Sequence, residues 1–306
     1  MSIKELDEKS AICPMCESSA IKAFEAPAHD GAPADRVKIR ECNNCHFAWQ
    51  FPRGRTVFES SAWFEKSYED KNHAQSDYFN ENRKREISRL EVEFLFSLKT
   101  NGQSLLDIGA GAGIFAEVAA ENGWTVTAVD PAIDERRFKN SSSINAINGS
   151  IDNVPRGKLF DVITLWDVIE HVDNPVELIT RTKPYLEKGG LLIIETGNYK
   201  SADRVSVGVG HWIYQLDHRW YFSPSSIVKL LLDCGFENIR ICDKVLRPGW
   251  NGSASYAGPS RTHLIKSIAK NPFSLVMEVS KHKMLVKAKS WEHAGIGIFA
   301  VAARNA

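Results

Sequence analysis

From residue 77 onward, apolar and polar positions alternate between two periods. In residues 77–99, Ile87, Leu90, Phe94, Leu95 and Leu98 recur at helical spacings with charges on the opposite face, which predicts an amphipathic helix. Short apolar runs then alternate with helical stretches. SLLDIGA predicts a strand and turn, IFAEVAAENG a helix stopped at Gly123, and WTVTAVD a second strand ending on Asp130. KLFDVITLWD reads as a buried strand, PVELITRTKPYLEKGG as a helix, and LLIIETG as the next strand. SPSSIVKLLLDCGF predicts a serine-capped helix with Ile227, Leu230, Leu231 and Cys234 on one face. NIRICDKV and GIGIFAVAAR close the series as strands. This alternation predicts an α/β domain: a Rossmann-like, mostly parallel sheet with helices on both faces and an antiparallel edge at the C-terminal end. A ligand is expected at the carboxyl ends of the strands, near the switch point after the first one.

The N-terminal residues follow another rule. Four of the six cysteines form Cys13-x-x-Cys16 and Cys42-x-x-Cys45, with a turn-rich stretch APAHDGAP and the alternating run RVKIREC between them. Two short hairpins with a C-x-x-C at each turn would bring four thiolates to one tetrahedral Zn²⁺, leaving no position for water, so the site is expected to be structural. A unit this small needs the metal to fold. Neither pair has the βαβ surroundings of a redox dithiol. The expected organisation is a zinc ribbon over residues 1–50, a linking and packing segment over 51–76 with Phe58, Trp63, Phe64 and Tyr68, and the main domain over 77–306.

The turn after the first strand, LLDIGAGAG, sets Gly109, Gly111 and Gly113 at alternate positions. A dinucleotide fingerprint is G-x-G-x-x-G, and here Ile114 stands where its third glycine belongs. Asp107 precedes the first glycine by two residues. A carboxylate there is unwelcome beside a pyrophosphate and suits a ligand carrying an ammonium and a sulfonium. Asp130, ending the second strand, can accept hydrogen bonds from ribose hydroxyls. In order, LLDIGAGAG, AVDP, FDVITLWDVIEHVDNP, YLEKGGLLIIETGN and DHRWYFSPSSIVKLLLDCGF resemble the class I S-adenosylmethionine-dependent methyltransferases from about residue 77 to the end. The EHV and HxxYFS-like pieces are similar to small-molecule O-methyltransferases of the ubiquinone-biosynthesis type. With the CxxC…CxxC segment in front, the chain looks like bacterial methyltransferases acting on nucleotide sugars or polysaccharide intermediates.

The resemblance implies that Asp107 and the Gly109, Gly111 and Gly113 turn hold the methionine portion of S-adenosylmethionine and Asp130 its ribose. It implies that Ser150, where the family often has an acid, and Ile151 border the adenine. Trp166 and Asp167 would close the pocket. Removal of a hydroxyl proton calls for a base, and a histidine of near-neutral pKa suits that task. His218 in QLDHRWYFS is the first choice, followed by His171 beside Glu170 and by His211 in VGVGHWIY. Residues 199–222 and 247–292 are the expected substrate-side segments, the second carrying several lysines that could face an anionic substrate.

Composition narrows the partners. Lys plus Arg equals Asp plus Glu at 38 each, so no net charge draws the chain to nucleic acid. The charged start MSIKELDEKSA is no signal peptide, and apolar runs such as LLII are too short to span a membrane, so a cytoplasmic protein is expected. The leading expectation is O-methylation of a sugar or nucleotide sugar. Carbon methylation of a keto sugar is the less expected outcome, because sugar C-methyltransferases with a zinc segment usually continue into a further domain, whereas this chain ends at Ala306. An RNA methyltransferase that uses the ribbon, or a binding subunit without chemistry, are the competing classes.

Overall fold

The computed structural model describes residues 12–30, 33–52, 80–242, 246–248 and 298–305. The aromatic positions expected to pack in residues 53–76, and the lysine-bearing stretch from 249 to 292, lie outside them.

Seven strands form the main sheet: β4 (Ser104–Ile108), β5 (Thr125–Asp130), β6 (Ile144–Asn148), β7 (Phe160–Trp166), β8 (Leu186–Gly197), β10 (Phe236–Ile241) and β11 (Ile298–Asn305). Their order is β10-β11-β8-β7-β4-β5-β6, with β6 to β8 parallel and β11 and β10 antiparallel. The expected Rossmann-like sheet with an antiparallel C-terminal edge is therefore present. Strand order reverses between β4 and β7, and a doubly wound sheet opens a crevice at that point.

The sequence reading left one strand unread and placed one helix end wrongly. β6, INAIN, escaped the sequence reading because its strand is only partly buried and carries no clean apolar alternation. The helix read through PVELITRTKPYLEKGG stops at Thr182; a 3₁₀ turn at Lys183–Tyr185 holds Pro184, and Leu186 already starts β8. Pro184 ends the α-helix because it has no N–H for the i→i−4 bond. Pairing with β7 shifts register between Phe160 and Val162, opposite the Gly189-Gly190 pair, so a strand with helix-like spacing at its start is bent into the sheet.

The α-helices among the described residues are α1 (Glu81–Ser97), α2 (Ile114–Glu121), α3 (Pro175–Thr182), α4 (Ala202–Val207) and α5 (Pro224–Asp233). Local chemistry starts them. Asn80 and Asn174 accept the N–H of Arg83 and Glu177, and Ser223 forms a capping box with Ser226. Period-2 alternation divides the core between the sheet faces: Leu106, Ile163, Leu192 and Ile194 on one, Leu105, Val162, Leu191 and Ile193 on the other.

The N-terminal unit is a small antiparallel sheet of β1 (Ile21–Pro27), β2 (Arg36–Cys42) and β3 (Ala48–Gln50). Its fourth strand, β9 (Trp220–Tyr221), comes from the segment after β8, pairing Ala48 with Tyr221 and Trp49 with Trp220. Cys13, Cys42, Phe47 and Trp49 share one apolar cluster with Trp220, Phe222, Ile227 and Leu231 of the main domain. No helix among the described residues is long and apolar enough to cross a membrane.

Trp49 is fully buried, stacked on Phe47 at 6.2 Å. Trp49→Ala should lower stability by about 3–5 kcal/mol in chemical denaturation. An unchanged midpoint would mean that the ribbon and the main domain do not share a core.

Candidate active site

The turn between β4 and α2 is built for close approach. Gly109, Gly111 and Gly113 have φ of 76°, 54° and 81°, in the left-handed region that favours glycine. A Cβ on Gly109 would meet Val168 Cγ2 at 2.4 Å, and one on Gly113 would meet Phe138 Cζ at 2.5 Å. The Gly111 N–H donates to Asp130 Oδ2 at 2.9 Å and the Ala132 N–H to Oδ1 at 2.7 Å, so Asp130 ties the glycine turn to the end of β5. The cradle is lined by Lys84, Glu91, Asp107, Gly109, Gly111 and Trp166, together with neighbouring backbone of the turn. Trp166 lies edge-on to Phe115 at 5.3 Å.

Beneath this turn the site is acidic and buried. Asp107 is 2% exposed and accepts the Thr164 hydroxyl at 2.8 Å; burial pushes its carboxyl up to about 7. Glu91, fully buried on α1, has no hydrogen-bond partner for either oxygen, and burial again raises it to about 7. Arg247 reaches in from between Asp167, at 3.3 Å, and Glu195, at 2.8 Å. A pocket with this donor set favours a cationic ligand, because a positive charge recovers the desolvation cost of the carboxylates. The residues present therefore fit the ammonium and sulfonium of S-adenosylmethionine.

Lys84, Glu91 and Arg247 were not among the residues singled out from the sequence. Glu91 left a readable signal: it sits four residues from both Ile87 and Leu95, inside the buried stripe of α1. Asp167, after β7, has φ of 54°. Ser150 is exposed and caps the short turn Ile151–Asn153, with Ile151 buried; the Gly149 N–H bonds to the Asp130 carbonyl at 3.1 Å and brings that turn beside β5.

The three candidate histidines separate. His171 and His218 come together, ring centroids 4.8 Å apart, and with Glu170 they present ligand atoms within 4.8 Å of one another. His218 is 4% exposed and donates Nδ1–H to the Ile213 carbonyl at 2.8 Å; burial, reinforced by His171, pushes it down to about 4. Burial also lowers His171, but the carboxylates of Asp217, Glu170 and Asp167 outweigh it and hold the ring above its ordinary value. His211 has other partners: its Nδ1 accepts the Ile213 N–H and its Nε2 meets Asp203 at 3.2 Å. It pins the segment around α4.

The cysteines form a second cluster. Sγ atoms of Cys13 and Cys45 are 3.5 Å apart, those of Cys16 and Cys42 3.6 Å, and all four lie within 4.8 Å. A tetrahedron with Zn–S of about 2.3 Å has an S···S edge of about 3.8 Å, so the set fits zinc. Contact with Cys13 and then burial push the Cys45 thiol upward, an obstacle that a dication at the centre removes.

A family model described as "Methyltransferase domain" matches residues 79–241, more than half of the chain. The "Ubiquinone biosynthesis O-methyltransferase" of Rickettsia canadensis (strain McKiel) is 30% identical over 146 residues, 44% of this chain and 62% of that protein. Its namesake in Rickettsia typhi (strain ATCC VR-144 / Wilmington) is 29% identical over 170 residues, 49% and 69%. The chain thus spans less than two thirds of the first of these relatives. Among solved structures, the plantazolicin methyltransferase BpumL in complex with SAH aligns with TM-score 0.48 and 19% identity, covering 80% of this chain and 95% of that one. A SAM-dependent methyltransferase from Archaeoglobus fulgidus aligns with TM-score 0.46 and 18% identity, covering 72% and 94%.

Two measurements test the charges and the thiols. Asp107 holds its proton more tightly folded than unfolded, so its contribution is fully present below about pH 4 and is lost as pH rises towards about 7. Ligand-free Asp107→Asn should therefore gain stability relative to the parent between pH 5 and pH 8. The zinc thiols titrate alike in both proteins, so a constant difference would refute the buried neutral acid. Metal analysis of Cys42→Ser should show one zinc per chain fewer than the parent; equal zinc content would exclude the four-cysteine site.

Proposed function

The chain belongs to the methyltransferase-domain family, and on that premise we propose that it methylates a hydroxyl of a small molecule with S-adenosylmethionine. The observation that carries this reading is the adjacency of two unlike halves. A glycine-lined acidic cradle follows β4, and a buried Glu170, His171 and His218 cluster follows β7.

When bound, S-adenosylmethionine supplies a methyl group on a positively charged sulfur. The chain's part is to bind, orient and exclude water. In this reading Asp107 and Glu91 face the cationic end, and Lys84 the carboxylate of the methionine portion. The turn at Gly109, Gly111 and Gly113 admits the ligand to the backbone, and Asp130 accepts the ribose hydroxyls. Ser150 and Ile151 border the adenine, while Trp166 and Asp167 close the pocket above the acceptor.

Receipt of the acceptor hydroxyl is assigned to Glu170, His171 and His218 as a unit. His218 alone is a weak base, since a ring pushed down to about 4 holds a proton poorly at neutral pH. His211, engaged with Asp203, takes no part.

Relatives named as O-methyltransferases support oxygen as the acceptor atom. The finer reading, a sugar or nucleotide-sugar hydroxyl, rests on the resemblance carried by the paired C-x-x-C segment. The ribbon that would mark an RNA enzyme spends its β3 edge on β9, packed against the main domain.

Thermal melting of the protein with S-adenosylhomocysteine, then with nucleotide sugars, phenols or short structured RNAs added, tests both halves. A rise with S-adenosylhomocysteine is expected, with affinity at least tenfold weaker in Asp130→Ala. A further rise with a nucleotide sugar supports the sugar reading. A further rise with RNA alone overturns the small-molecule reading, and no response to S-adenosylhomocysteine overturns the whole proposal.

A further inference from the structure

We propose that Glu91 is the residue by which the cradle tells S-adenosylmethionine from S-adenosylhomocysteine: its carboxylate faces the sulfonium charge that the first carries and the second lacks. This rests on the cofactor reading above and assigns one side chain of that site a role in specificity. Glu91 lies within α1, fully buried, and its side chain lines the cradle. Neither of its oxygens has a hydrogen-bond partner among the described residues. A buried carboxylate is ordinarily met by donors or by a cation, so this one is built for a partner that arrives from outside. Asp107 differs, because the Thr164 hydroxyl already donates to it at 2.8 Å. Arg247, which also acts on Glu91, is engaged with Glu195 at 2.8 Å and with Asp167 at 3.3 Å.

Charge matching separates the two acids. The ionisable side chains lining the cradle, among the described residues, are Lys84, Asp107 and Glu91. S-adenosylmethionine carries a carboxylate, an ammonium and a sulfonium, whereas S-adenosylhomocysteine carries only the carboxylate and the ammonium. Lys84 answers the carboxylate and Asp107, ahead of the glycine turn, the ammonium; both ligands satisfy that pair equally. Glu91 is then the group left over, and the sulfonium is the charge left over. Beside a neutral sulfur an ionised Glu91 stays buried without a partner, which is costly. Trp166, edge-on to Phe115 at 5.3 Å, makes the adjoining wall aromatic, and in such surroundings a single charge weighs more than at a surface.

The same placement links binding to protons. Burial raises the Glu91 carboxyl to about 7; Lys84 of the same helix and Arg247 oppose the rise, and Asp167 after β7 and Asp107 of β4 add to it. Glu195 of β8, raised first by burial, also feels Glu91 as a like charge. Below about pH 7 the empty site therefore holds Glu91 protonated, and a sulfonium displaces that proton whereas a neutral sulfur does not. Preference for the charged ligand grows as pH rises through that value.

The test is titration calorimetry of the full chain, its cysteine site loaded with zinc, with each ligand in turn. Buffers of different ionisation heat report the protons released. At about pH 6.5 the parent should release more protons on binding S-adenosylmethionine than on binding S-adenosylhomocysteine. In Glu91→Gln that difference should vanish, and at about pH 8 the ratio of the two affinities should move about tenfold against S-adenosylmethionine, with S-adenosylhomocysteine little affected. Glu91→Asp, which keeps the charge on a shorter arm, should recover part of the ratio. Equal proton release for both ligands in the parent, or an unchanged ratio in Glu91→Gln, overturns the role of Glu91 and leaves the cofactor reading standing. A Glu91→Gln chain that does not fold leaves the decision to the parent's proton release. A parent that binds neither ligand overturns the cofactor reading itself, and the role of Glu91 with it.

Discussion

The pairing of Trp49 with Trp220 and of Ala48 with Tyr221 makes a strand of the main domain part of the ribbon's own sheet. β9 is two residues long, yet its neighbours reach both candidate centres. The N–H groups of Arg219 and Trp220 both bond to the Glu170 carbonyl, and Trp220 Nε1 donates to the Val172 carbonyl at 2.8 Å. On the other side the Gln50 N–H bonds to the Arg219 carbonyl, and the Tyr199 hydroxyl donates to buried Glu41 of β2 at 2.7 Å. The cysteine cluster therefore sits at one end of a short covalent and hydrogen-bonded path that ends at Glu170 and His218. Too small to bury a core of its own, the ribbon uses that of the main domain, and in return holds the segment that carries His218.

A second constraint is electrostatic. Asp107, Glu91, Glu170 and Glu195 are each at most 3% exposed, and all are raised to about 7 or 8 by burial. Asp107 and Glu170 end or follow the strands at the switch point, Glu195 lies near the end of neighbouring β8, and Glu91 lies in α1 and lines the cradle. A fold selected for stability alone would place apolar residues there. Carboxylates gathered at the crevice of a doubly wound sheet, with Arg247 between two of them, mark a site that gives up stability to hold charge. Cationic ligands relieve it, and the S-adenosylmethionine reading draws on that field.

Much of the scaffold was legible because its cues are local. The glycine turn, the Asp107 and Asp130 strand ends, the cap at Ser223 and the buried runs of β4, β7 and β8 are patterns of a few adjacent residues. Reading failed where the cue was weak or misleading. INAIN lacks apolar alternation, and PYLEKGG keeps helical spacing although Pro184 ends the helix before it. Among the histidines, the sequence placed all three on loops after strands and put His218 first, without the partners that tell them apart. Their partners lie elsewhere in the chain: Ile213 for His218, Asp217 for His171, Asp203 for His211.

By itself, then, the sequence determined the α/β class, the glycine turn after the first strand of the main sheet and the spacing of four thiols, because each follows from periodicity or short-range steric rules. Only the tertiary structure decided that Glu91 and Lys84 of α1 line the cradle, that Arg247 sits between Asp167 and Glu195, and that β9 completes the ribbon's sheet. Those contacts join distant parts of the chain, Arg247 to Glu195 across 52 positions and Ala48 to Tyr221 across 173. Chain closure over such distances is governed by the packing of the whole core, which leaves no local pattern to read.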